Sequence, residues 1–186
     1  MIAHTLLLSG CLLSCVEYTP KPRGYFRIEP EPTTYKTATF DHHPFLFNIS
    51  RSATVELSPA GDPAVWVNLV YPKLGATIYC DYLRISPRSL RLATEESRRF
   101  VAAQLKKGES VQEKAYSNPE SRVYGSLFLL DGGAASPVQF AVTDSLSHFL
   151  RGALYFDCTP NADSLAPAIQ YIREDIIELI QSFSWK

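Results

Sequence analysis

No charged residue precedes Glu17, and that uncharged start constrains the rest of the chain. The first fifteen residues end in two consecutive boxes, Leu8-Ser9-Gly10-Cys11 and Leu12-Leu13-Ser14-Cys15. A membrane-spanning helix needs about 20 apolar residues, so this run is too short to cross a bilayer. Its length suits the hydrophobic part of a secretion signal, and small residues followed by cysteine are how bacterial lipoprotein signals end. Cleavage before Cys15 leaves the fuller hydrophobic segment, so Cys15 is the expected lipidated residue, with Cys11 as the alternative. Residues 1–14 are then a signal peptide, and the protein meets the membrane through a lipid.

Residues 15–44 read as a tether. Seven of the thirteen prolines fall before position 64, and each one fixes its own φ and drives the preceding residue out of the helical region. The stretch from Tyr18 to Ile28 should therefore run as an extended, semi-rigid arm. Its aromatic and basic residues, with Arg23, Tyr25 and Arg27 as candidates, suit docking on the parent domain or on a partner. A plain spacer is the other reading.

From Phe45 to Lys186 the pattern is that of a single α+β domain. The composition, 46% hydrophobic and 20% charged, is enough to bury one core. Alternation predicts strands from Phe45, over Ala53–Leu57, Val65–Tyr71 and Ala76–Leu83, the last two joined by Pro72-Lys73-Leu74-Gly75. Leu90 to Lys107 reads as a helix with Ala93, Ser97, Phe100 and Val101 on its buried stripe. Four further strands follow, at about Val111–Tyr116, Val123–Leu130, Val138–Thr143 and His148–Asp157. Short turns between them imply an antiparallel meander. A second long helix carries Leu165, Ile169, Ile172, Ile176 and Leu179 at helical spacing, capped by Asp163 or Ser164, with Pro167 in its first turn. The expected architecture is an antiparallel sheet of about six to eight strands sandwiched with two long helices.

The inventory argues against several function classes. A net charge of −1 gives no field to hold nucleic acid. There is no G-x-S-x-G elbow and no phosphate loop. Asp144, Ser147 and His148 are close in sequence but read as turn residues. Asp41-His42-His43 lacks a second ligand cluster, so no metal is expected. Glu174 and Asp175 read as solvated, and Cys80 and Cys158 as two buried free thiols. No catalytic residue and no cofactor is expected. Arg151 lies opposite Leu150 and Leu154 on its strand; it is either a partner-binding residue or one half of an ion pair beneath a helix.

Several strings resemble the gliding motility lipoprotein GldD family of Bacteroidetes-type bacteria. They include Tyr18-Thr19-Pro20-Lys21-Pro22-Arg23-Gly24-Tyr25-Phe26-Arg27-Ile28, Ala76-Thr77-Ile78-Tyr79 and Val123-Tyr124-Gly125. His148-Phe149-Leu150-Arg151-Gly152-Ala153, Arg173-Glu174-Asp175-Ile176 and the terminal Trp185-Lys186 agree as well. The element order is also similar to the PsbP/Mog1 fold, by weaker analogy. The resemblance implies a non-enzymatic cell-envelope lipoprotein needed for gliding and for the associated type IX secretion machinery. Its partners would be protein components of that machinery, and its place the periplasmic face of the outer membrane. A periplasmic small-ligand binding module of the same fold is the alternative, favoured if the structure holds a large pocket with Tyr79, Tyr82 or Phe156.

Overall fold

The computed structural model describes residues 32–59, 65–158 and 162–186. Cys11, Cys15, Arg23, Tyr25 and Arg27 lie outside the described residues. Among the described residues, no helix is long and apolar enough to cross a membrane.

Among the described residues, ten strands form two sheets. β1 (Tyr35–Thr39), β2 (Phe45–Ser50) and β10 (Ser184–Trp185) make a three-stranded sheet in the order β1-β2-β10. The large sheet contains β3 (Thr54–Pro59), β4 (Val65–Tyr71), β5 (Ala76–Arg84), β6 (Val111–Asn118), β7 (Val123–Leu130), β8 (Val138–Thr143) and β9 (His148–Phe156). Its order is β3-β4-β5-β9-β8-β7-β6, and every neighbour is antiparallel. The two helices are α1 (Pro87–Gln104) and α2 (Ala162–Gln181). α1 carries the chain from β5 to the far edge, and the meander β6 to β9 then returns to place β9 beside β5.

The main core lies between one face of the large sheet and a layer made of α2 and the small sheet. Val67 and Leu69 of β4, Ile78 and Cys80 of β5, and Leu150 and Leu154 of β9 alternate onto that face. Phe45, Phe47, Ile172, Ile176 and Phe183 meet them from the other side. Burying each such side chain contributes about 1.5–3 kcal/mol. Stacked Phe45, Phe47 and Phe183 rings join the small sheet to the end of α2.

Local chemistry sets the element ends. The β4–β5 hairpin closes through a 3₁₀ turn at Pro72–Leu74, with Gly75 in the left-handed region at φ 55°. Ser86 and Ser89 cap α1 reciprocally, and Pro87 occupies its first turn. These signals start α1 three residues before Leu90, and it ends at Gln104, short of Lys107.

Several expectations are corrected. The stretch read as tether up to residue 44 contains β1, which pairs with β2 from Tyr35↔Ser50 to Thr39↔Leu46, and Phe40 is buried in the main core. Folded structure therefore begins by Tyr35. Pro167 is inside α2, not in its first turn, and Asp163 and Ser164 are helical rather than preceding the helix. Phe100 is not on the buried stripe of α1, which comprises Ala93, Ser97 and Val101. Cys80 is buried as expected, but Cys158 is exposed, because β9 stops at Phe156 and the alternation that pointed Cys158 inward ends with it. Both thiols are free.

Candidate functional site

The second face of the large sheet is only partly covered. α1 packs over β8 and β9, where Val101, Phe128, Leu130 and Ala134 form a small separate cluster. Beside α1, the outward positions of β4, β5, β8 and β9 line a half-open groove of about 600 Å³. The antiparallel register decides which residues share it. Asn68 pairs with Tyr79, Tyr79 with Ala153, and Ala153 with Gln139, so these four form one row across four strands. With strands about 4.8 Å apart, the row spans about 14 Å. The adjacent row runs Trp66, Asp81, Arg151 and Ala141.

Arg151 is thus directly opposite Asp81. Its Nε and Nη2 both donate to Oδ2 of Asp81, at 3.1 and 2.8 Å. The Phe100 ring of α1 covers the guanidinium at 4.5 Å, a geometry in which the ring quadrupole attracts the cation. Of the two readings of Arg151, the structure provides the ion pair beneath the helix, and this pair forms part of the groove lining. The walls are aromatic: Trp66 is 50% exposed, Tyr79 49% and Phe100 53%. Tyr79 also meets Tyr155 edge to face at 5.9 Å. Gln139 and Ser97 line the groove although each is only 6% exposed. The side chains of Asn68, Ser97 and Gln139 hydrogen-bond to no other described residue. The sequence pattern had not singled out Trp66, Asn68 or Gln139. Their signal is a polar or aromatic residue between apolar ones on a central strand, as Asn68 is between Val67 and Leu69.

Elsewhere, polar clusters serve the fold. Asp144 accepts the backbone N–H groups of Leu146, Ser147 and His148, each at 2.9 Å, and the Ser147 hydroxyl at 3.1 Å. Burial works against its ionised form, but these bonds outweigh it and hold the carboxyl below its ordinary range. The His148 ring instead bonds the Tyr82 hydroxyl through Nδ1 at 2.8 Å and stacks on Trp185. Burial lowers its pKa. Asp144 and His148 therefore organise a turn and a core edge, with no serine on the imidazole among the described residues. His43 stacks on Phe45, and no group of three or more His, Cys, Asp or Glu able to hold a metal occurs among the described residues.

Asp175 is a correction of a different kind: it is buried, not solvated. Tyr35 donates to its Oδ1 and Tyr71 to its Oδ2, both at 3.1 Å. Burial raises the Asp175 pKa despite these donors, and burial beside a carboxylate pushes the Tyr71 and Tyr35 phenols well up. The cluster fastens β1, the first described strand, to α2 and the end of β4.

A family sequence model described as gliding motility lipoprotein GldD matches residues 15–185. No curated protein matches the chain.

Proposed function

The chain belongs to the gliding motility lipoprotein GldD family, and from that premise we propose that it is a non-enzymatic assembly component of the envelope machinery that drives gliding and type IX secretion. A lipid on Cys15 holds it at the periplasmic face of the outer membrane, and the arm bearing Arg23, Tyr25 and Arg27 engages protein partners. One observation carries this reading: the family match takes in nearly the whole chain and begins at residue 15, the cysteine that the signal pattern selects.

The test is an allele lacking residues 18–28 but retaining Cys15, placed in the native host. The expected result is normal protein abundance with loss of both surface gliding and release of type IX cargo. Normal gliding and secretion would count against the arm. Fatty-acid labelling that persists in a Cys15→Ser, Cys11→Ser double variant would overturn the anchor.

The groove favours a second reading, a binding module for a small ligand. An aromatic-walled cleft with a few convergent polar groups is the usual form of such sites, and Tyr79 stands in its wall as that reading requires. The two readings are compatible, because a bound ligand can occupy the sheet face while the arm holds a protein.

A further inference from the structure

The groove has a chemistry more specific than its shape. Its two formal charges cancel internally, since Arg151 is already committed to Asp81. An anionic ligand would therefore compete with Asp81 for the guanidinium and add an uncompensated charge. An acyl chain fits no better. An apolar chain would cover the amides of Asn68 and Gln139, which line the groove, without giving them partners, at a cost of about 1–3 kcal/mol each. Each primary amide presents two donors and an acceptor. Asn68 and Gln139 present theirs at either end of one row, with small Ala153 and aromatic Tyr79 between them. What matches is a neutral molecule that carries hydroxyls around its rim and apolar C–H faces above and below.

We propose that the groove between α1 and the open face of β4, β5, β9 and β8 is a saccharide-binding site for a neutral oligosaccharide. The sugar rings lie with their C–H faces on Trp66 and Tyr79. Their hydroxyls take up the amides of Asn68 and Gln139, and the Arg151–Asp81 pair offers its remaining donors and acceptor at the floor. The half-exposed aromatic side chains of Trp66, Tyr79 and Phe100 leave the sugar-stacking faces reachable from solvent. This inference rests on the second reading above, that the groove binds a ligand, and adds the ligand's class.

Isothermal titration calorimetry on the full-length chain, in a detergent without a sugar headgroup, tests it. The probes are the N-acetylglucosamine trimer and cellotriose, with myristate and a synthetic peptide of residues 18–28 as the rival occupants. The expected result is saturable binding of at least one of the sugars, weakened tenfold or more in Trp66→Ala and in Asn68→Ala, two exposed or half-buried positions whose change leaves the melting temperature near wild type. Saturable binding of myristate or the peptide, lost in Trp66→Ala, with neither sugar bound, would overturn the saccharide class and leave the groove a ligand site. No binding of any probe, or sugar binding unchanged in both variants, would overturn both.

Discussion

Arg151→Ala separates a structural ion pair from a free docking residue. In the folded protein two guanidinium nitrogens share Oδ2 of Asp81, and the side chains retain 23% and 30% exposure. Breaking a fully buried pair by removing one partner costs about 3–5 kcal/mol, because the survivor keeps its desolvation without its counter-charge. Partial exposure lets water recover some of that for Asp81, which brings the loss to about 2 kcal/mol. Losing the guanidinium under Phe100 adds about 0.5–1 kcal/mol. The total of about 2–3 kcal/mol lowers the melting temperature by roughly 5–10 °C for a domain of this size. Urea unfolding followed by circular dichroism reads it as a midpoint shift at constant slope. Asp81→Ala alone and the double variant complete a cycle with a coupling of about 1–2 kcal/mol, since the second truncation removes the stranded charge. Arg151→Lys falls between, as an ammonium cannot place two planar donors on one oxygen. An Arg151→Ala protein within about 0.5 kcal/mol of wild type, or an additive cycle, would refute the reasoning and return Arg151 to the surface as a docking residue.

Asp175 makes a pH prediction. Its folded pKa is raised, chiefly by burial, so the stability it contributes is fully present below the ordinary aspartate range and is lost as pH rises through the elevated folded value. Asp175→Asn keeps an acceptor for a tyrosine and removes that slope, so wild type minus variant stability should fall with rising pH; Asp175→Ala leaves the Tyr35 and Tyr71 hydroxyls without their acceptor and destabilises at every pH. Gly152→Ala tests packing in mid-sheet, where a Cβ would stand 2.3 Å from Cε1 of Phe140 and 3.1 Å from Sγ of Cys80. Forcing in that methyl costs about 1–3 kcal/mol, whereas Gly133→Ala, whose Cβ would meet only Lys106 Nζ at 3.5 Å, should melt within a degree or two of wild type. Thiol titration of the mature protein should count Cys158 under native conditions and Cys80 only after unfolding, because burial shields Cys80 and raises its pKa; a further native thiol would mean that Cys15 is unmodified.

Much of the fold is legible in the sequence because the large sheet is buried on one face. Val123–Leu130 and Val138–Thr143 are strands at their expected bounds, and the Ile172-Ile176-Leu179 stripe of α2 sits in the main core. β1 was hidden because Tyr-Lys-Thr-Ala-Thr is an edge strand paired on one side only, with little apolar alternation to reveal it. β10 is two residues long and exists through its pairing with β2. Asp175 looked solvated because nothing local announces that Tyr35 and Tyr71, more than 100 positions away, converge on it. Residues of the groove were partly legible, since Arg151 was placed on the correct face. Asp81 became its partner only through the β5–β9 register, a pairing across 70 positions.

If the anchored domain works by holding other proteins of the envelope machinery, its N-terminal residues must touch them in the cell. Photo-crosslinking in intact cells, with p-benzoylphenylalanine replacing Tyr25 on the arm or Tyr79 in the groove, followed by mass spectrometry, tests it most directly. The expected result is arm adducts with protein components of the gliding and type IX secretion apparatus. Tyr25 adducts confined to the protein's own domain, or no protein adduct from the arm at all, would contradict it.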